Sequence, residues 1–193
     1  ADPQFKNKIC IRSSNNIYNQ SLVASLIAAN GKEKTQQWAN AFVANFARKP
    51  KGGDRDQIKA AASGQCDIAI ANTYYVAKML DSKKAKQKQA AQSVTLFWPN
   101  QKGRGAHINV SGAAITKYAK HVDAAKKLIE FLATKESQRW YANVNYEYPA
   151  REDVKVGEML ARWGDFKADN INLEKLGKNN AEAVMIMDRA GWK

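Results

Sequence analysis

The chain has 193 residues, 45% of them hydrophobic and 25% charged, which is enough apolar sequence to bury a core and excludes a disordered chain. Its 31 Lys and Arg against 18 Asp and Glu give a formal net charge of +13. That charge favours anionic partners such as nucleic acid, a membrane surface, small anions or anionic metal chelates. No apolar stretch is long enough to span a bilayer and no signal peptide opens the chain, so we expect a soluble, mature segment with sequence missing upstream.

The elements predicted for the first half alternate between strands and helices. Apolar runs at 8–12 and 66–71 predict short buried strands. Helices are expected from the polar stretch 13–16 to Asn30, over 34–47, over 54–63 with Asp54 as the N-cap, and after the capping residues Asn72 and Thr73. This alternation predicts an α/β layer with a parallel sheet. The lysine-rich stretch 78–88 is expected to be an exposed helix end and loop.

The second half is predicted to hold fewer strands. Strands are expected at 94–98 and 107–110, separated by a polar, glycine-broken segment that could serve as a hinge or crossover. Helices are expected in four ranges: 122–133, 135–144, 156–163 and 179–190.

Cysteine and histidine give little sign of a metal site. Cys10 and Cys66 each lie in a predicted strand, and no CxxC pair occurs. If the two strands are neighbours, a disulfide can form, and two buried thiols are the alternative. The two histidines, His107 and His121, stand alone without ligand spacing, so structural roles are expected for both.

Tyrosines follow both predicted strands of the first half. Tyr18 comes after the strand at 8–12, and Tyr74 and Tyr75 come after the strand at 66–71. Because ligands bind outside the carboxyl ends of strands in an α/β sheet, three phenols could point into one crevice. Phenolate oxygen is a hard, anionic ligand that suits Fe(III), and its coordination must displace the phenol proton. The alternative is that these tyrosines only pack at the surface, as expected for Tyr146 and Tyr148.

An anion site is predicted beside the first tyrosine. Ser13, Ser14 and Asn15 lie at a predicted helix N-terminus, where backbone and hydroxyl donors could hold carbonate. Arg12 and Arg104 are candidate partners because a planar guanidinium pairs well with an oxyanion. Surface or structural roles are the alternative for both arginines.

Several segments resemble the bacterial periplasmic ferric-iron-binding proteins. Residues 67–75, preceded by 53–58, are similar to the dityrosine region of that family, and residues 11–22 are similar to its upstream tyrosine loop. Residues 144–149 and 177–184 resemble later landmarks. The similarity covers essentially the whole chain.

The resemblance implies an α/β fold of the two-lobe, type II periplasmic-binding-protein class with iron held between the lobes. It implies that Tyr18, Tyr74 and Tyr75 are Fe(III) ligands, with carbonate or another synergistic anion as a possible addition. The protein would act in the periplasm and deliver iron to an inner-membrane ABC permease.

The same resemblance implies a domain layout. Residues 1–98 would form most of the second lobe with the tyrosine site, 99–150 would return to the first lobe, and the helices of 151–193 would pack back on the second lobe. The first lobe would be incomplete because the family's N-terminal region is absent, and that missing segment would be a partner of this chain.

Other classes of function fit less well. A basic nucleic-acid-binding domain would explain the charge, but no nucleic-acid-binding motif is present, so no nucleic-acid partner is predicted. No Ser-His-Asp order, Walker loop or GxGxxG occurs, so the sequence does not predict an enzyme. A solute-binding protein for another anion shares the same fold and remains the alternative.

Overall fold

The computed structural model describes all 193 residues and contains nine α-helices and two short strands. The strands are β1 (Ile9–Cys10) and β2 (Ile68–Ala69). A 3₁₀ turn at Pro3–Phe5 precedes β1, and a π-helical turn at Tyr141–Asn145 follows the seventh helix. The helices are α1 (Ile17–Asn30), α2 (Lys32–Val43), α3 (Asp54–Ala62), α4 (Thr73–Leu80), α5 (Ala85–Gln92), α6 (Val122–Leu132), α7 (Lys135–Trp140), α8 (Glu158–Ala161) and α9 (Glu174–Arg189).

The chain forms two compact units. Unit 1 contains residues 1–109 and 166–193, and unit 2 contains 110–165. The predicted lobe layout, with divisions after residues 98 and 150, stays a prediction beside these compact units. The segment 104–107 stays in unit 1 because Ala106 forms a β-bridge with Ala168 and the guanidinium of Arg104 pairs with the carboxylate of Asp169 at 2.8 Å.

A parallel strand pair lies in unit 1. β1 and β2 pair with Ile9 opposite Ile68, and the Ile70 N–H donates to the Cys10 carbonyl at 3.0 Å, so the pairing extends beyond the two-residue strands. Both strands are shorter than predicted. A disulfide joins Cys10 to Cys66, so of the two alternatives for these cysteines the structure has the bridge.

The main core of unit 1 surrounds the C-terminal tryptophan. The Trp192 side chain is fully buried, and its ring lies 5.4 Å from that of Phe42 and 5.5 Å from that of Phe46. Val23 of α1 belongs to the same cluster. The indole N–H of Trp192 donates to the Arg12 carbonyl at 2.9 Å. The end of the chain therefore fixes the loop that leads into α1.

The predicted strands at 94–98 and 107–110 are wrong. Both segments are without strand assignment in the structure. Side-chain exposure still alternates along 94–98, as in a strand covered on one face. A strand requires a hydrogen-bonded neighbour, and the chain offers neither segment a paired strand.

Two predictions about helices also need correction. The lysine-rich stretch expected to be a helix end and loop contains a further helix, α5. The N-cap of α3 is Gly53, whose N–H donates to the Asp56 carboxylate at 2.9 Å. Asp54, the expected cap, is instead the first helical residue, because its carboxylate is engaged elsewhere.

Unit 2 is helical and sparsely packed. Its α6 has no buried side chain, and Val122, Leu128 and Phe131 are exposed. Buried positions cluster instead near Ala142 and Leu160. Across the whole chain, no helix combines the length and the apolar character that crossing a bilayer demands.

Candidate metal centre

The three predicted tyrosines meet in unit 1. Tyr18 lies in the first turn of α1, and Tyr74 and Tyr75 lie in the first turn of α4. The hydroxyl oxygens of Tyr18 and Tyr74 are 2.8 Å apart, and the ring centroids of Tyr74 and Tyr75 are 4.3 Å apart. Tyr75 contributes to the electrostatic environment of both other phenols and raises the pKa of each. The two strand ends therefore bring the three tyrosines together, with the phenol oxygens of Tyr18 and Tyr74 in contact and the ring of Tyr75 against that of Tyr74.

Side-chain hydrogen bonds fix the loop that precedes Tyr18. Asn16 caps α1, and its side-chain oxygen Oδ1 accepts from the Tyr18 N–H at 3.1 Å. The buried carboxamide of Asn19 donates to the carbonyls of Arg12 at 2.9 Å and Ser13 at 3.0 Å. A polar side chain at a helix start that satisfies loop carbonyls in this way holds the backbone in one conformation. Sequence reasoning missed Asn19.

The environment raises the pKa of two of the phenols, those of Tyr18 and Tyr74. Burial, followed by hydrogen bonds with Tyr18 and Tyr75, raises the pKa of Tyr74 well above its ordinary value. For Tyr18 the hydrogen bond with Tyr74 lowers the pKa, but burial and the bond with Tyr75 outweigh it, so the net direction is upward. A cation that binds these oxygens must therefore displace protons, and its affinity should fall as the pH falls.

Three cationic side chains lie over the tyrosine rings. The guanidinium carbon of Arg12 is 5.6 Å from the Tyr18 ring centroid, that of Arg55 is 5.7 Å from the Tyr75 ring centroid, and Lys78 Nζ is 5.2 Å from the Tyr74 ring centroid. Nearby positive charge stabilises phenolates and attracts anionic chelates. Arg55 and Lys78 were not predicted as part of the site.

Asp54 is the residue at this site that sequence reasoning placed wrongly. Its side chain is 3% exposed, and Oδ2 accepts from Arg12 Nη1 at 2.6 Å. Oδ1 accepts from the backbone N–H of Asn72, the N-cap of α4, at 2.9 Å. An Asp before a helix reads as a cap, and only its place in the segment 53–58 that resembles the family's dityrosine region could have indicated more.

The predicted anion-binding residues fall into two groups. Ser13, Ser14 and Asn15 lie in the loop before α1, where the Ser13 hydroxyl donates to the Asn15 side chain and the Ser14 carbonyl accepts from Gln20 at 3.1 Å. Arg12 belongs to the same loop.

Arg104 belongs to a different set of contacts. Its Nη1 lies 2.8 Å from the Asp169 carboxylate and 3.2 Å from the Ser25 carbonyl. His107 lies near it, with Nε2 3.0 Å from the Ser21 hydroxyl. Burial, with a smaller contribution from Arg104, lowers the pKa of His107 to about 4. His107 is therefore neutral at neutral pH, and no His, Cys, Asp and Glu cluster able to hold a metal occurs in the structure.

Comparison with known proteins identifies the family. The profile of the bacterial extracellular solute-binding proteins matches residues 1–171. The chain belongs to this family. Membership confirms the prediction of a binding protein rather than an enzyme.

Two of the relatives are named for iron uptake or iron binding. Iron uptake protein A1 of Synechocystis sp. is 49% identical over 193 residues, which cover 100% of this chain and 54% of the relative. The major ferric iron-binding protein of Neisseria meningitidis is 26% identical and is covered to 56%. The chain thus spans about half the length of the curated relatives it matches.

Solved structures give the fold. Trichodesmium IdiA (FutA), solved in complex with iron and citrate, is 46% identical with a TM-score of 0.96, and the match covers 100% of this chain and 61% of that one. The ferric binding protein from Campylobacter jejuni is 40% identical with a TM-score of 0.96 and the same coverage. This member of the solute-binding family therefore has part of a type II periplasmic-binding fold, as predicted.

Proposed function

We propose that the chain is part of a periplasmic protein that binds Fe(III) through the phenolates of Tyr18, Tyr74 and Tyr75 and delivers it to an ABC permease. The observation that carries the proposal is the clustering of the three tyrosines, with the phenol oxygens of Tyr18 and Tyr74 2.8 Å apart and the rings of Tyr74 and Tyr75 4.3 Å apart. The iron-binding and iron-uptake names of the relatives support it.

The chemistry of the site suits a trivalent hard cation. Phenolate oxygens are hard anionic donors, and three of them balance the charge of Fe(III). Because burial and hydrogen bonding keep the pKa of Tyr74 high, iron must replace the protons on the oxygens, and acidification should release it. If these tyrosines only packed at the surface, we would not expect their hydroxyl groups to lie in contact.

A synergistic anion, such as carbonate, completes the iron coordination in this proposal. The loop of Arg12, Ser13, Ser14 and Asn15 supplies donors next to Tyr18, and an anion there would extend the pairing of opposite charges. We leave Arg104 out of the proposed anion site because its donors are used by Asp169 and Ser25. That one relative was solved with iron and citrate supports an oxyanion beside the metal.

Further ligands would come from a part of the relatives that this chain does not match. The chain covers 54% of iron uptake protein A1. In the proposal, the unmatched region supplies the rest of the first lobe, closure of the lobes covers the iron, and the closed form is recognised by the permease.

An absorbance titration tests the iron site. Purified chain is titrated with ferric citrate plus bicarbonate at neutral pH, and phenolate-to-iron charge transfer should give a visible band. Tyr74→Phe, which removes one phenolate without disturbing the ring packing, should lose most of the band. Tyr118→Phe is the matched control, because Tyr118 is 84% exposed in unit 2 and its loss should leave the band unchanged.

A colourless wild-type chain would call for the same titration on a longer form that includes the region of the relatives unmatched here. A band in that form, absent in its Tyr74→Phe variant, would support the tyrosine ligands and locate the remaining ligands in that unmatched region. If the longer form is colourless too, the proposed function is wrong.

A further inference from the structure

A single buried carboxylate joins the two segments that carry the tyrosines. Asp54, the first residue of α3, is 3% exposed and makes one contact with each segment. Oδ2 accepts from Arg12 Nη1 at 2.6 Å, and Arg12 lies in the loop before the helix of Tyr18. Oδ1 accepts from the N–H of Asn72 at 2.9 Å, and Asn72 is the N-cap of α4, whose first turn holds Tyr74 and Tyr75.

We propose that Asp54 is a positioning residue for the tyrosine cluster, one that fixes the Arg12 guanidinium beside Tyr18 and the start of α4 relative to each other. This inference rests on the proposed function, because it assigns Asp54 a role in holding the iron ligands ready. The two hydrogen bonds of the Asp54 carboxylate go to Arg12 and Asn72, and neither goes to a phenol oxygen.

The physical reason is the cost of an unpaired buried charge. A carboxylate that is 3% exposed is stable only when its oxygens are paired. Arg12 Nη1 and the Asn72 N–H supply that pairing, so Asp54 makes the position of either segment depend on the other. A metal site gains affinity when its ligands are held in place before binding, because less order is lost on binding.

Other links between the two segments act at other points. The hydroxyl groups of Tyr18 and Tyr74 are hydrogen-bonded at 2.8 Å, but this bond joins the proposed ligands themselves and would be replaced when a metal binds. The Cys10–Cys66 disulfide joins the strand region but not the helix starts. The Asn72 side chain accepts from Asn109 and provides no cap for its own helix. The N–H of Asn72 therefore depends on Asp54 for its hydrogen bond.

The first experiment compares Asp54→Asn with Asp56→Asn in the ferric citrate titration. Both changes remove one negative charge from the first turn of α3, but Asp56 is exposed and accepts only from the Gly53 N–H and a lysine on its own helix. Asp54→Asn should weaken iron binding about tenfold, the effect of losing a hydrogen bond to a charged group, and should shift the maximum of the charge-transfer band. Asp56→Asn should change neither.

The band maximum separates positioning from mere stability. A variant that is only less stable binds less iron. The molecules that do bind iron still show the wild-type band maximum. Unchanged affinity and an unchanged band in folded Asp54→Asn would overturn the inference.

A double-mutant cycle tests whether Asp54 acts through Arg12. Asp54→Asn lowers iron affinity by some factor in the wild-type background. In an Arg12→Gln background, the factor should be less than half as large. Arg12→Gln should also shift the band by itself, because it removes the guanidinium beside Tyr18 and leaves the buried Asp54 carboxylate without its charged partner. Wild-type affinity and band in Arg12→Gln, or full additivity in the cycle, would contradict the inference.

A measurement without iron makes this inference testable even if the proposed function fails. Hydrogen exchange of the Asn72 amide in the metal-free chain should be about tenfold faster in Asp54→Ala, since its acceptor is gone. Asp56→Asn, which keeps the Asp54 carboxylate and its Arg12 partner, serves as the control and should leave the amide protected. Equal protection in Asp54→Ala and wild type would refute the positioning of α4, whereas a colourless wild type with the expected exchange would refute only the iron site.

Discussion

The apolar face of α1 in unit 1 is buried, whereas the apolar face of α6 in unit 2 is exposed. Val23, Ala24 and Ile27 of α1 are buried beneath α9 and the aromatic cluster of Trp192. The helix α6 collects its apolar residues on one side more clearly, yet none of its side chains is buried. An amphipathic pattern predicts which face seeks a partner, whereas the rest of the chain decides whether that face is covered.

The sharpest test of this comparison uses the same residue type in both units. Phe42→Ala should lower the free energy of unfolding by about 3–5 kcal/mol, because Phe42 is 7% exposed and packs on three other rings. Phe131→Ala should cost no more than about 0.5 kcal/mol, because Phe131 is 54% exposed. Urea denaturation followed by circular dichroism measures both. Equal costs would mean that the α6 face is covered in solution.

Removing the disulfide should be the next largest effect, and it should be confined to unit 1. The bridge spans 56 residues of sequence, and the entropy of closing such a loop predicts a loss of up to about 4 kcal/mol in the Cys10→Ala, Cys66→Ala double variant. The reduced wild type is the control and should match it. Denaturation with and without a reductant gives the result, and a reductant that leaves the wild-type midpoint unchanged would contradict it.

His107 should make unit 1 sensitive to acid. Its pKa is about 4 in the folded chain against an ordinary value of 6.5, so the unfolded chain takes up this proton first. Its contribution is fully present above about pH 6.5 and is lost as the pH falls towards 4, on the order of 3 kcal/mol in total.

Denaturation at a series of pH values measures this contribution. His107→Gln should flatten the profile between pH 4 and 6.5. His121→Gln, at the exposed start of α6, is the matched control and should keep the wild-type slope. A profile that is flat in the wild type would contradict the prediction.

Exposed ion pairs should contribute least. Lys178 and Glu174 pair at 2.8 Å one turn apart on α9, with side chains 70% and 67% exposed. Lys178→Ala should change the free energy of unfolding by only about 0.5 kcal/mol because water and salt screen the pair. Repeating the measurement in high salt should erase the difference, and a larger loss would show that Lys178 has a further role.

Local chemistry made much of unit 1 predictable. Apolar runs marked β1 and β2, polar residues marked the start of α1, and the tyrosines after both strands indicated the cluster. These features depend on residues close in sequence. Because the two strands are parallel, their carboxyl ends lie at the same edge of the sheet.

What the sequence concealed depends on distant contacts. Asp54 satisfies the rule for a helix cap, but Arg12, 42 residues away, takes its carboxylate. Residues 94–98 carry the apolar pattern of a strand and have no strand to pair with. Arg104 seemed free to bind an anion, and Asp169, which lies beyond unit 2 in sequence, occupies it. A sequence pattern indicates which structures and contacts are available to a segment. The tertiary contacts of the folded chain determine which of them forms.

The β-bridge between Ala106 and Ala168 has a practical consequence for dissecting the protein. The two passages of chain that flank unit 2 are joined at this point within unit 1, and the pair Arg104–Asp169 reinforces the junction. Unit 2 is thus an insertion whose two ends connect to neighbouring positions of unit 1. A short glycine–serine linker in place of residues 110–165 would span that gap, and would yield a minimal chain that retains Tyr18, Tyr74 and Tyr75 on their own scaffold.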